Sequence, residues 1–294
     1  VAEGIGVADT DVTIEPTSIG GDFGGKGGFM DTHVAYWLSR ATGRPVRMVM
    51  DYTEELIAGN PRHAAVMTFK TGVMRDGTIV ARTADLTYDS GAYGAFRPQT
   101  GISYGARCLG PYRVPNGRID SRAVYTNLVP GGSMRSPGDP QSIFASEAHL
   151  DLVARELGID PLDFRLHNVV RDGDVSAIGK AWRTPIAARL LERAADASAY
   201  RAPLPSVKGK RRGRGISLCE RGTGAGPCTA RISIGETGAV TVNISLRDTG
   251  SGFYTMLPQV AAEVLGIPSE HVRMETWSTD AIPDDGGVGG ARVT

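Results

Sequence analysis

Apolar and polar positions along this chain alternate, or recur at helical spacing, in short blocks separated by glycine-rich stretches. Ala64–Tyr88 alternates on either side of Arg75-Asp76-Gly77-Thr78, so the pattern predicts a hairpin closed at Asp-Gly, a pair that accepts the positive φ of a tight turn. Ile143, Leu150, Val153 and Leu157 share one helical face that Gly158 closes. Asp160-Pro161 then opens a shorter helix, with the aspartate as N-cap and the proline at the first helical position. Further helices are predicted over Phe29–Thr42 (stopped by Gly43), Ala187–Ala199 and Tyr254–Leu265 (stopped by Gly266-Ile267-Pro268). Short apolar runs predict strands at Asp11–Ile14, Pro45–Asp51, Gly215–Cys219, Ala230–Ile234 and Val240–Leu246, the last two joined at Gly235-Glu236-Thr237-Gly238. Strands and helices intersperse without a regular βαβ period, which places the fold in the α+β class.

A length of 294 residues favours two domains. The stretch from Ala202 to Gly213 has proline, glycine and a basic run but no apolar period, and reads as a solvated linker. It divides the chain into 1–200 and 201–294. Lys plus Arg number 32 and Asp plus Glu number 32, so nothing in the charge points to nucleic acid or an anionic membrane as partner. No run of about 18 apolar residues exists to span a membrane. The 3 cysteines, Cys108, Cys219 and Cys228, form no C-x-x-C pair. That argues against a disulfide framework or a zinc site and favours a reducing compartment, the cytoplasm, with the periplasm as the alternative. Both ends, Val1-Ala2-Glu3-Gly4 and Gly286–Thr294, read as mid-protein, so the chain is expected to be a fragment or a processed piece.

Candidate chemistry lies in three glycine loops, each just ahead of a predicted helix, where backbone N–H groups can cradle an anion. Gly20-Gly21-Asp22-Phe23-Gly24-Gly25-Lys26 fits a phosphate-loop pattern as far as the lysine, but Gly27 stands where a magnesium-binding Ser or Thr is required. A triphosphatase site is therefore disfavoured. In Gly131–Gln141, Arg135 sits among shape-fixing residues and either binds an oxyanion or carbonyl or braces the loop itself. Asp248-Thr249-Gly250-Ser251-Gly252 is the third loop. Three such loops in a neutral chain suggest a large, polar, anionic ligand gripped from several sides. The histidines, His33, His63, His149, His167 and His271, have no metal-ligand spacing and read as structural or surface residues.

Taken in order, these blocks resemble the large subunits of molybdenum hydroxylases, the xanthine dehydrogenase and aldehyde oxidase family. Gly20–Lys26 resembles its G-G-x-F-G-x-K signature and Tyr88–Tyr93 its D-x-G-A-Y segment. Met134-Arg135-Ser136-Pro137-Gly138, followed by Glu147, Asp151, Leu157-Gly158, Asp160-Pro161, Arg165 and Asn168, resembles its most specific block. Asp248–Gly252, Gln259 and Ala261–Pro268 resemble its second molybdopterin-binding domain.

The resemblance implies two mixed α/β molybdopterin-binding domains, the second incomplete, and a chain truncated at both ends. The implied cofactor is a molybdenum-molybdopterin, in its cytosine dinucleotide form, that takes no protein side chain as metal ligand. Gly21, Asp22, Phe23, Gly24 and Gly25 would contact it, Phe23 and Gly24 beside the metal, with Arg135 and Gly138 on the pterin or substrate side and Gly250, Ser251 and Gly252 at the phosphate. The implied reaction is hydroxylation of an aldehyde or N-heterocycle with water as oxygen source. Electrons would leave through iron–sulfur clusters and FAD on partner domains or subunits, and a glutamate base would come from a family segment that lies beyond these residues. Gly27 replaces the purine-recognising Glu of xanthine enzymes, and Ser136 the copper-binding Cys of carbon monoxide dehydrogenases, so the pattern stands nearest the aldehyde oxidoreductases. The competing reading is a binding or structural module that keeps the fold without the cofactor.

Overall fold

The computed structural model describes residues 1–15, 17–26, 32–93, 105–176, 179, 181–221, 224, 226, 228–278, 280–281 and 289–291. Gly27 and the expected first residues of the Phe29–Thr42 helix, up to Asp31, lie outside them. The chain forms two compact units, 60–221 and 1–59 with 222–294. Its architecture is mixed α/β, as the sequence predicts.

In residues 60–221 the hairpin forms as expected. Strands β1 (Ala65–Val73) and β2 (Ile79–Gly91) pair antiparallel, with Ala65 opposite Tyr88. The turn is set by Gly77 at φ 88 and by the Asp76 carboxylate, which accepts from the Thr78 N–H at 2.9 Å. A third strand, β3 (Gly117–Tyr125), adds parallel to β2. Hydropathy gave no sign of it because it is an exposed edge whose Arg118, Asp120 and Arg122 pair with one another and with Asp85.

Helix α4 (Asp139–Glu156) contacts β1, α5 (Pro161–Asn168) packs on α4, and α6 (Ala187–Ala197) packs on α5. Asp160 caps α5 by accepting from the Leu162 N–H at 2.8 Å. Asn168 pins the far end of α5 to the hairpin turn: its amide oxygen accepts from Ile79 N–H at 2.9 Å and its amide nitrogen donates to the Gly77 carbonyl at 2.8 Å.

The core of this unit carries charge. Arg165 is fully buried and donates to Glu147 at 2.9 Å and to Asp151 at 2.7 Å. Burial works against its positive charge, but Glu147 and Asp151 outweigh burial and hold the guanidinium above its usual range. Glu147 also accepts from the Tyr112 hydroxyl at 2.9 Å and the Leu218 N–H at 2.9 Å. The last bond explains one departure from expectation. Gly215–Cys219 is not a strand, because Leu218 is buried against the core with its N–H turned to a carboxylate rather than to a neighbouring strand. Within the block that carries the family resemblance, Glu147, Asp151, Arg165 and Asn168 thus build the scaffold.

The other unit repeats the hairpin-plus-parallel-strand theme. β4 (Arg231–Ile234) and β5 (Val240–Ile244) are antiparallel about the expected turn, and β6 (Val272–Thr276) lies parallel to β5 after a crossover through α7 (Phe253–Leu265). Buried Val240, Val242, Ala261, Ala262 and Val272 form its core. Three shorter helices, α1 (Ala2–Ile5), α2 (Thr32–Thr42) and α3 (Tyr52–Ala58), belong to the same unit.

Two other expected strands do not form. Asp11 closes a single 3-10 turn and 12–15 have no regular structure. Pro45–Asp51 is irregular, and its last residue is the N-cap of α3 in a capping box with Glu54, each bond 2.8 Å long.

Candidate functional site

The first glycine loop is a tight, self-bonded turn. The Asp22 carboxylate accepts from the Lys26 N–H at 2.8 Å, and its carbonyl accepts from Gly25 N–H at 2.8 Å. The Lys26 ammonium donates to the Ile19 carbonyl at 2.6 Å, within its own loop. Phe23 stands at φ 52 and is 58% exposed, and Gly24 follows at φ 88. A Cβ on Gly21 would sit 2.7 Å from the edge of the exposed Phe23 ring, so a larger residue there would turn that ring aside.

The second loop stores strain. Arg135 has φ 20 and Ser136 φ 58, a left-handed pair with no glycine in it, and Gly138 at φ 82 serves as N-cap of α4. Non-glycine residues held in such conformations cost about 1–3 kcal/mol each and persist only where their surroundings over-determine them. Here the surroundings come from a short strap, Asn60-Pro61-Arg62-His63. The Pro61 carbonyl accepts from Gly132 N–H at 2.9 Å. The Arg62 guanidinium donates to the Arg135 carbonyl at 2.7 Å, and the Gln141 amide donates to the His63 carbonyl at 2.7 Å. Gly131 and Gly132 let the loop lie flat on the strap: a Cβ on Gly132 would fall 1.3 Å from the Asn60 amide oxygen, and one on Gly131 2.5 Å from the His63 ring.

Below the loop, Asp139 is buried at the first turn of α4 and accepts from Arg221 at 2.7 Å and Arg107 at 3.5 Å. Arg135 itself is exposed. Burial, and then the like charge of Arg135, hold the Arg62 guanidinium below its usual range. The N-terminus of α4 has no side-chain cap, and the buried Gln141 amide oxygen has no partner among the described residues.

The third loop fills its own anion cradle. The Asp248 carboxylate accepts from Gly250 N–H at 2.8 Å, Gly252 N–H at 3.2 Å, the Ser251 hydroxyl at 3.4 Å and Tyr254 N–H at 3.3 Å. Burial disfavours its charge, but these donors outweigh burial and keep the carboxyl below its usual range. Gly252, at φ 83, is the N-cap of α7.

Among the described residues no three His, Cys, Asp or Glu side chains are placed to hold a metal ion. His63, His149 and His167 are engaged with the Asp89 carbonyl, Thr71 and Thr78.

Comparison with known proteins decides what these loops belong to. The models of the molybdopterin cofactor-binding domain match residues 1–169 and 188–294. This chain belongs to the molybdopterin cofactor-binding domain family. It is 31% identical over 293 residues to a xanthine dehydrogenase molybdenum-binding subunit of Escherichia coli, a match covering 96% of this chain and 39% of that protein. Among solved structures it superposes on the aldehyde oxidoreductase of Desulfovibrio gigas with a TM-score of 0.89 at 28% identity, covering 99% of this chain and 33% of the other. Quinoline 2-oxidoreductase of Pseudomonas putida 86 matches with a TM-score of 0.85 at 28% identity, over 99% of this chain and 40% of that one. The chain therefore spans 40% or less of each of these relatives. No described helix is long and apolar enough to cross a membrane.

The donor set around α4 fits an anionic, polar cofactor. These groups are a helix N-terminus without a side-chain cap, with Asp139 and Pro140 in its first turn, an exposed arginine, and a buried Gln141 amide oxygen able to accept a hydrogen bond. The strap, and Arg62 within it, escaped sequence reasoning, since nothing local to Asn60–His63 marks it. The only hint was Gly131-Gly132, a glycine pair against which something has to pack closely.

Proposed function

We propose that this chain is the pterin-binding core of a molybdenum hydroxylase, working within a larger assembly that oxidises an aldehyde or N-heterocycle with water as the oxygen source. The observation that carries this reading is the strained turn of Arg135 and Ser136 in a family of cofactor-binding domains. When bound, molybdopterin in its cytosine dinucleotide form supplies the oxidising centre. Arg135 donates to an anionic or polarised oxygen on the pterin or substrate side, and Gly138 and the start of α4 add the positive end of a helix. Phe23, exposed on its left-handed turn, offers a flat apolar face that orients a planar ring and keeps water from it. Gly21, Asp22, Gly24 and Gly25 shape that turn, while Gly250, Ser251 and Gly252 form a further cofactor loop. The base that takes a proton from the attacking water is supplied from outside these 294 residues. Iron–sulfur and flavin partners would take up the electrons. Ser136 and Gly27 argue for a substrate nearer the aldehydes than xanthine or carbon monoxide.

The test is Arg135→Ala in the assembled enzyme. Loss of a hydrogen bond to a charged group, about 1.5–3 kcal/mol, is expected in kcat/KM with little change in melting temperature. Equal losses in both would make Arg135 a loop brace. One observation favours a second reading, a module without cofactor: Asp248 already occupies the donors of the third loop. Molybdenum and pterin analysis of the purified protein separates the two.

A further inference from the structure

The strained turn at Arg135 is restrained by a residue that lies far from it in sequence and outside all three glycine loops. We propose that Arg62 is the positioning residue for Arg135, holding its carbonyl so that the left-handed turn persists and Arg135 keeps its place on the exposed loop. This proposal rests on the reading of Arg135 as a cofactor- or substrate-side group.

Three observations carry it. The Arg62 guanidinium donates to the Arg135 carbonyl at 2.7 Å, at the one peptide that joins the two strained residues, φ 20 and φ 58. The strap is itself fixed on both sides of Arg62, by the Gly132 N–H on the Pro61 carbonyl and by the Gln141 amide on the His63 carbonyl, so Arg62 starts from a rigid base. The loop has given up side chains to lie against that base, since a Cβ at Gly131 or Gly132 would collide with His63 or Asn60.

The geometry also explains why an arginine is placed beside another arginine. Burial opposes the arrangement, and like charges oppose it further. A residue kept there against both effects supplies something that a neutral donor of less reach does not. A guanidinium spans the distance from the strap to the carbonyl and bonds it in a fixed plane, whereas a lysine ammonium has no such plane.

The experiment uses the assembled, cofactor-containing enzyme with Arg62→Gln, Arg62→Lys and the double variant Arg62→Gln with Ser136→Gly. Glycine at 136 removes the steric cost of the left-handed conformation, so it acts through the backbone alone. Amide exchange over 133–138 is read by mass spectrometry beside kcat, KM and molybdenum content. Arg62→Gln is expected to speed exchange in that segment and to lower kcat/KM about tenfold, with molybdenum content unchanged. Arg62→Lys is expected to stay low, and the added Ser136→Gly to recover most of the loss. Unchanged exchange in Arg62→Gln would overturn the proposal. So would a double variant as poor as the single one, since Arg62 would then act on the ligand by its own charge. A parent enzyme without molybdenum or pterin would defeat the proposed function instead, and the exchange comparison would still decide whether Arg62 holds the turn.

Discussion

At Asp248 one carboxylate inside the loop gathers the N–H groups of Gly250, Gly252 and Tyr254, all within 6 residues. At Arg135 the turn is held by Arg62, 73 positions away in sequence, and Gln141 in the helix that follows is tied to His63 across 78 positions. Both loops present shaped backbone at the start of a helix. The first kind is a local solution that folds with its own helix, so its donors are satisfied within the loop. The second is a tertiary solution: the strain in Arg135 and Ser136 is stable only because the strap and the buried charges beneath it are already in place. The difference teaches that a strained, exposed arginine depends on the whole unit around it, whereas a self-bonded helix start depends on one residue.

That contrast can be broken most severely at Arg165. Arg165→Met leaves Glu147 buried without its partner, and removing one member of such a pair costs about 3–5 kcal/mol. Denaturant unfolding of the protein should show this loss. Amide exchange around Arg135 should rise with it, and exchange around Asp248 should not.

A smaller effect is expected at Asp139. Replacing it by Asn strips Arg107 and Arg221 of their common carboxylate. Those arginines are each about a third exposed and keep some hydration, so the expected cost is about 1.5–3 kcal/mol rather than the full buried-pair value. A thermal melt with no shift would show that the charges beneath the loop do not support it.

Asp248→Ala should cost less, about 1 kcal/mol, comparable to the loss of a helix cap. Its exchange signature should stay within the loop and the first turn of α7. A change that reached the 60–221 unit would contradict the local character assigned to this loop.

The smallest effect is one of pH. His149 bonds Thr71 at 2.9 Å, and burial, then the charge of Arg82, hold its pKa below the ordinary value. The unfolded chain therefore takes up a proton, near pH ~6.5, that the folded one refuses. Stability is full above that pH and falls as the pH drops from it towards the folded value. His149→Gln should flatten this slope in a series of melts between about pH 5 and 8, the range over which histidines titrate.

What was legible in the sequence follows the same division. The hairpin about Asp76-Gly77, the Asp160-Pro161 start of α5 and the turn at Thr237-Gly238 were readable because each is written in adjacent residues. β3 was hidden by its charged, exposed positions, and β6 by pairing to β5 only after a crossover through α7. Gly215–Cys219 misled because Leu218 is apolar for the core and not for a sheet. Pro45–Asp51 misled because the Asp51–Glu54 capping box, though written in the sequence, was passed over for the apolar run before it. The three glycine loops were legible as loops, but the strap that holds Arg135 was not, because its bonds join positions that no local pattern relates.

The central claim is that these loops hold a molybdopterin. Its most direct test is to purify the protein with the rest of its assembly and to measure molybdenum by mass spectrometry beside pterin and cytosine nucleotide released on denaturation. The account predicts molybdenum, pterin and nucleotide in equal amounts, and their loss together when Arg135 and Gly138 are both replaced. A well-folded protein that contains none of the three would contradict it.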